Sequence, residues 1–173
     1  MATATIVSWD QVGPSADGAR RGVRQDGGVT LTVLSGPPPD LSELLALYAS
    51  VGWTSYTRDP QALARALRQS GFVWTARDEA GTLLGLVRGV TDDVSILYVQ
   101  DILVHPDSQR RGVGRALMEA VLERYAHVMQ MVLLTDDGPG QLAFYRSLGF
   151  HNTRELVRVP TNAFYRDSRV ELA

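Results

Sequence analysis

Cysteine is absent from all 173 residues. The chain therefore forms no disulfide, offers no thiolate to a metal and carries no cysteine nucleophile. No stretch approaches the roughly 20 consecutive apolar residues that a membrane-spanning helix needs. A large charge of one sign is missing too. The formal net charge is -2, far from the basic footprint of a nucleic-acid binder. Only three histidines occur, His105, His127 and His151, and none stands at metal-ligand spacing, so no metal is implied. Met1 to Asp10 lacks the basic start and apolar run of a secretory signal. Together these absences predict a cytoplasmic protein with neither nucleic acid nor membrane as partner.

What the chain does have is apolar bulk. Hydrophobic residues make up 45%, enough for one sizeable core at this length. They are unevenly spread. Residues 11–28 read QVGPSADGARRGVRQDGG, too poor in large apolar groups to offset the entropy of ordering. The expectation is a flexible arm over residues 1–28 and one folded domain over 29–173.

Within that domain VTLTVLSG, from Val29, alternates as a strand does and stops at Gly36. Three prolines follow, then Asp40 as a helix cap and Leu41, Leu44, Leu45 and Tyr48 at helical spacing. Gly52 ends that helix, and Trp53 to Thr57 form a loop. Asp59-Pro60 offers an acidic cap and a first-turn proline to a second helix, striped by Leu63, Ala66 and Leu67. Phe72–Arg77 and Leu83–Val90 read as a hairpin, and Ser95–Val104 as a third long strand. A helix begins around Gly112 with Val113, Leu117, Val121 and Leu122 on one side. Met129–Leu134 reads as a strand buried on both faces. Pro139 opens a helix with Leu142, Ala143 and Leu148 inward, Gly149 ends it, and Phe150 begins a closing strand. The order β, α, α, β, β, β, α, β, α, β predicts a mixed α/β sheet with helices on both faces.

The segment Gln109-Arg110-Arg111-Gly112-Val113-Gly114-Arg115 lies after a strand and opens a helix. The first N–H groups of a helix have no internal acceptor, and the helix dipole makes that end positive. Glycine lets the backbone approach an anion closely. A phosphate site is the natural reading. A P-loop would end in Gly-Lys-Ser/Thr, and here Gly114-Arg115-Ala116 stands instead. A dinucleotide fingerprint would set a third glycine where Leu117 stands.

The pattern Gln-x-x-Gly-x-Gly, preceded by Val104-His105-Pro106, resembles the acetyl-CoA motif of the Gcn5-related N-acetyltransferases (GNAT). A second match is LAFYRSLGF, residues 142–150. It resembles the family's later motif, in which a tyrosine faces the thioester. The stretches LYASVGW, YTRDP and ILYVQDILVHPDSQRRGVG are similar to a bacterial subgroup, itself similar to plant and cyanobacterial serotonin-type enzymes. The resemblance covers roughly Val29 to Glu155 and implies a single-domain GNAT fold. That fold is a mixed, mostly antiparallel sheet with one splayed strand pair and helices on both faces.

By this resemblance the backbone of Ile102, Leu103 and Val104 pairs with the pantetheine arm. The pyrophosphate then rests on Gln109, Arg110, Arg111, Gly112, Val113, Gly114 and Arg115. Tyr145 matches the tyrosine that protonates the departing thiolate. The loop carrying Trp53 and Tyr56 borders the acceptor site. Trp74 and Tyr98 read as core aromatics. Homodimers are common in the family. One departure is Asp136-Asp137-Gly138-Pro139, where the family often has an asparagine before the tyrosine helix.

Acetyl transfer needs a neutral amine, and an alkylamine is protonated at pH 7. Asp101 is the candidate base. It is a charge in the apolar strand YVQDILV, where a buried carboxylate is shifted toward its protonated form. Gln100 is expected on the opposite face. The reading is acetyl transfer from acetyl-CoA to a small primary amine, such as an arylalkylamine, by direct attack in a ternary complex. The alternatives are a protein lysine or N-terminal acetyltransferase, a catalytically silent acyl-CoA-binding module and a nucleotide-binding oxidoreductase domain.

Overall fold

The computed structural model describes the backbone of residues 21–24 and 30–166, with side chains from Leu31 to Arg166. Six strands lie side by side in chain order. They are β1 (Arg21–Arg24), β2 (Thr30–Ser35), β3 (Phe72–Arg77), β4 (Leu83–Thr91), β5 (Ile96–Val104) and β6 (Gln130–Leu133). Every neighbouring pair is antiparallel except β5–β6, which is parallel. The helices are α1 (Leu41–Ser50), α2 (Thr54–Thr57), α3 (Pro60–Arg68), α4 (Val113–Arg124) and α5 (Pro139–Arg146). One compact unit runs to Leu134 and holds the sheet with α1 to α4; a second begins at Thr135 and holds α5.

Adjacent residues on β4 show why helices cover both faces. Leu86 joins Leu44, Leu47, Tyr48, Leu63, Leu67 and Leu103 in one cluster beneath α1 and α3. Full burial of each leucine contributes roughly 1.5–3 kcal/mol. Gly85, one residue earlier, points the other way. A Cβ there would lie 3.1 Å from Val113 Cγ1 and 2.7 Å from the Leu103 carbonyl oxygen. The missing side chain is what lets the start of α4 settle on the sheet.

Helix starts follow the sequence in part. Asp59 caps α3 by accepting from the Ala62 amide at 2.9 Å, with Pro60 in the first turn. Asp40 stands at the N-cap of α1, but its carboxylate makes no capping bond; only its carbonyl oxygen accepts, from the Leu44 amide.

Four expectations are corrected. The segment expected as an arm contains β1, whose Arg21–Arg24 pairs with Thr30–Val33 of β2; residues 1–20 and 25–29 lie outside the described residues. The strand expected to be buried on both faces is β6, and its four residues are exposed or half-buried. Ala143, expected to face inward on α5, is exposed. Phe150 starts no strand. Gly149 turns the chain with φ 89°, and a short 3-10 turn at Thr153–Glu155 comes next instead. The apolar spacing that mimicked a strand is offset by Asn152, whose side chain accepts from the Arg154 amide and favours that turn.

Two irregularities of β5 give the sheet its open edge and its local twist. Pairing with β6 covers only Ile96 to Val99, so Gln100 to Val104 have no strand partner on that edge among the described residues. In the pairing with β4, Arg88 faces Asp101 but Gly89 faces Val99. Gln100 is the extra residue of a β-bulge.

Candidate active site

The chain leaves β5 through a tight loop. His105 Nδ1 accepts from the Asp107 amide at 3.3 Å and caps a 3-10 turn at Pro106–Ser108. The Gln109 side chain folds back and donates to the Val104 carbonyl at 3.2 Å, tying the loop to the strand end. Arg110 then takes φ 58° and Gly112 φ 77°, and α4 starts at Val113. Backbone of alternating hand curls successive N–H groups around one point, the geometry of an anion nest. Gln109 to Gly112 form a turn, yet none of the five amides from Arg110 to Gly114 makes a hydrogen bond of good geometry among the described residues. They meet the positive end of a 12-residue helix.

The side chains of this loop have other duties. Val113 is buried at 3% exposure, so its side chain packs in the core and only its amide belongs to the nest. Arg110 and Arg111 are exposed and have no ion-pair partner among the described residues. Arg115 lies 3.5 Å from Glu119, one turn along α4. On β5, Leu103 is in the core, while Ile102 and Val104 are half-buried along the open edge.

Asp101 sits at the centre of a polar cluster beneath α1. Arg88 Nε donates to its Oδ2 at 2.6 Å, and the Tyr48 hydroxyl donates to the same oxygen at 2.7 Å. The Tyr56 hydroxyl donates to Oδ1 at 2.9 Å. The Asp101 side chain is 1% exposed, so no substrate reaches it directly. Arg88 is 7% exposed and also donates to Ser70 Oγ at 3.4 Å. Burial pulls its guanidinium down, but Asp101 and Tyr48 hold it above the ordinary arginine range. Burial, then the charge of Asp101, pushes the Tyr48 phenol far above its ordinary value and the Tyr56 phenol up as well.

Gln100 corrects a further expectation. Strict alternation places it opposite Asp101, yet its amide donates to the Tyr56 hydroxyl oxygen at 3.2 Å. The bulge turns both neighbours onto one phenol. Trp53 and Tyr56 stack with centroids 5.7 Å apart, and Tyr48 tilts against Tyr56 at 5.1 Å. Trp53 is 36% exposed and Tyr56 half-buried, so this aromatic face opens outward from the buried pair. Trp74, at 3% exposure, belongs to the core.

Sequence reasoning missed Arg88, Ser70 and the hydroxyl of Tyr48. The signal for Arg88 was present: LLGLVRGV and YVQDILV each carry one charge in an apolar strand, of opposite sign, across a hairpin. Two such charges are buried only as partners.

In the second unit Tyr145 lies on α5, half-buried between Phe144 and Phe150, with centroids at 5.1 and 6.1 Å. Burial raises its phenol above the ordinary value, against a smaller opposing effect of a hydrogen bond with Thr135. The hydroxyl therefore keeps its proton at neutral pH and acts as a donor. Among the described residues no group of three or more acidic or histidine side chains could hold a metal ion, and no helix is long and apolar enough to cross a membrane.

Known proteins resemble this chain in sequence and fold. The acetyltransferase (GNAT) family model matches residues 39–150. A chloroplastic serotonin N-acetyltransferase 2 of Oryza sativa subsp. japonica is 34% identical over 132 residues, covering 73% of this chain and 63% of that protein. This chain spans 62–64% of the lengths of the first curated relatives it matches. Among solved structures, a GNAT-family acetyltransferase of Streptococcus pneumoniae TIGR4 is similar with a TM-score of 0.66 and 31% identity, over 80% of this chain and 98% of that one. An aminoglycoside N-acetyltransferase solved with CoA shares the fold with a TM-score of 0.60 at 18% identity, over 82% of this chain and 97% of that one.

Proposed function

Because this chain belongs to the GNAT acetyltransferase family, we propose that it moves an acetyl group from acetyl-CoA to a primary amine on a small molecule, an arylalkylamine in particular. The observation that carries the reading is the run of unbonded amides from Arg110 to Gly114 beside the open edge of β5. The residues present fit the cosubstrate. The amides suit a pyrophosphate, and the backbone edge from Ile102 to the Val104 amide, beyond the β6 pairing, suits an extended arm that pairs as a strand would. Each hydrogen bond to a charged phosphate contributes roughly 1.5–3 kcal/mol, so the backbone outweighs the exposed Arg110 and Arg111.

Acetyl-CoA supplies an activated acyl thioester. A C–N bond forms as the C–S bond breaks; the amine gives up one proton and the departing sulfur gains one. Tyr145 is the acid for the sulfur, which its protonated phenol supports. Asp101 is the base of the acceptor side, acting at one remove from the amine because it is enclosed. The flat, outward-facing pair Trp53 and Tyr56 supports an aromatic amine as acceptor. The relative described as a serotonin N-acetyltransferase supports the same substrate class.

Two measurements test the reading. Calorimetry with acetyl-CoA and with NAD should show binding of the first alone. Thiol release, read with a chromogenic disulfide reagent, should then accompany addition of 2-phenylethylamine; the absence of cysteine removes any protein background. NAD binding without acetyl-CoA binding would overturn the proposal. Release with a lysine peptide but no small amine would move the activity to protein acceptors.

A further inference from the structure

Asp101 is sealed from substrate, and that leaves open which group meets the amine. The open edge of β5 bears on this. It is bounded at one end by the amide cradle and at the other by Val99, where pairing with β6 begins. Moving from the cradle along the free edge passes Val104 and Ile102 and ends at Gln100. An arm lying along that edge with its phosphates in the cradle brings its acyl end to the bulge. Gln100 is bonded there to the Tyr56 hydroxyl.

We infer that Tyr56 is the catalytic residue of the acceptor side, taking the amine proton as its own hydroxyl proton passes to Asp101, and that Arg88 and Tyr48 are positioning residues for this relay. The inference rests on the acetyltransferase reading and deepens it.

The hydrogen bonds support this assignment. Oδ2 of Asp101 accepts from Arg88 and Tyr48; among the described residues Oδ1 accepts only from Tyr56. The carboxylate is gripped by one oxygen and offers the other to the half-buried Tyr56 phenol. Tyr56 donates to Asp101 and accepts from Gln100, and its oxygen has one further lone pair. A phenol held protonated by burial and by Asp101 is no base alone. It works by exchange: one proton arrives on the Tyr56 oxygen from the nitrogen and one leaves to Oδ1. Tyr56 stays neutral, the amine becomes nucleophilic, and Asp101 is left protonated beside Arg88. After the product departs the same path returns the proton to water. The charged and titratable groups facing Tyr56 are Asp101 on β5, Arg88 on β4 and Tyr48 on α1.

The test uses the full chain with acetyl-CoA and 2-phenylethylamine. Tyr56→Phe should lower kcat by about 10²-fold or more, the lower end of general acid–base catalysis, while calorimetric binding of acetyl-CoA is unchanged. Asp101→Asn should lower kcat similarly, and Tyr56→Phe with Asp101→Asn should be no worse than either alone. Raising pH should recover rate in Tyr56→Phe, because neutral amine is then supplied by solvent; a merely structural role gives no such recovery. Arg88→Lys, which keeps the charge, should retain more activity than Arg88→Met. Full kcat in Tyr56→Phe, or losses that multiply in the double variant, overturn the inference and leave the acetyltransferase reading standing. A wild-type chain that binds no acetyl-CoA, or binds it without turnover, overturns both.

Discussion

Arg88 Nε and Asp101 Oδ2 lie 2.6 Å apart, with side chains 8% and 1% exposed, directly opposite each other on β4 and β5. Removing one partner of such a pair strands a buried charge and costs about 3–5 kcal/mol. Arg88→Met should therefore unfold at clearly lower urea than wild type. Replacing the whole group by apolar residues, Arg88→Met with Asp101→Leu and Tyr48→Phe, should restore most of that loss. Urea melts of the two variants check this. A triple variant no more stable than Arg88→Met sinks the argument.

Gly112 holds φ 77°, a conformation in which a β-branched side chain is strained by about 1–2 kcal/mol. Gly112→Val should reshape the amide nest and weaken acetyl-CoA binding by at least tenfold. Arg110→Ala removes only an exposed charge, worth about 0–1 kcal/mol, and should weaken binding less than about fivefold. Calorimetric titration of both ranks them. If Arg110→Ala is the worse, binding rests on side chains and not on the backbone. Gly114→Val should fall with Gly112→Val, because it crowds the same amides.

The proposed role of Tyr145 as the acid needs its protonated form. Its folded value lies above the ordinary 10.0, so the donor is fully present at neutral pH and is lost only as pH rises through that raised value. The wild-type kcat should show no alkaline decline from this group below about pH 10. Tyr145→Phe should lower kcat about 10²–10⁴-fold with acetyl-CoA affinity kept. Steady-state rates from pH 6 to 9.5 with parallel binding measurements decide it. A variant with wild-type kcat would remove Tyr145 from the chemistry.

Glu43 on α1 and Arg77 on β3 form a two-pronged pair, at 2.5 and 2.8 Å. The hydrogen bond with Arg77 lowers the Glu43 carboxyl below its ordinary 4.5. A lowered folded value contributes stability that is fully present above the unfolded value and is lost as pH falls through the folded one. Both side chains are partly exposed, 34% and 23%, so solvent screening keeps the contribution to about 1 kcal/mol or less. Glu43→Gln should be less stable than wild type at pH 7, and the gap should narrow as pH falls below 4.5. Thermal melts at pH 7 and pH 3.5 test it; a gap that persists at low pH assigns the effect to packing.

Which elements exist was largely legible from periodicity, because burial of one helix stripe or one strand face writes itself into local spacing. Leu44, Tyr48, Leu63 and Leu67 are buried as their spacing predicts. Asp59-Pro60 starts α3 through local bonds alone. Strand ends and burial depth were less legible. Phe150 carries a strand-like pattern, but a strand needs a partner edge, and sequence does not report one. Residues 21–24 looked too polar to order; β1 gains its order from backbone pairing with β2, which makes no demand on side-chain hydrophobicity.

The sequence by itself determined the amide nest ahead of α4, since a nest is built from consecutive backbone amides and needs only its own glycine and the helix that it opens. It also determined that Asp101 was out of place in an apolar strand. Only the tertiary structure decided what Asp101 touches. Its partners Tyr48, Arg88 and Tyr56 come from α1, β4 and α2, 13 to 53 residues away. A bulge that no periodicity announces brings Gln100 onto the same phenol. Local chemistry is written in neighbouring residues; a buried charge acquires its role from whatever the fold sets against it.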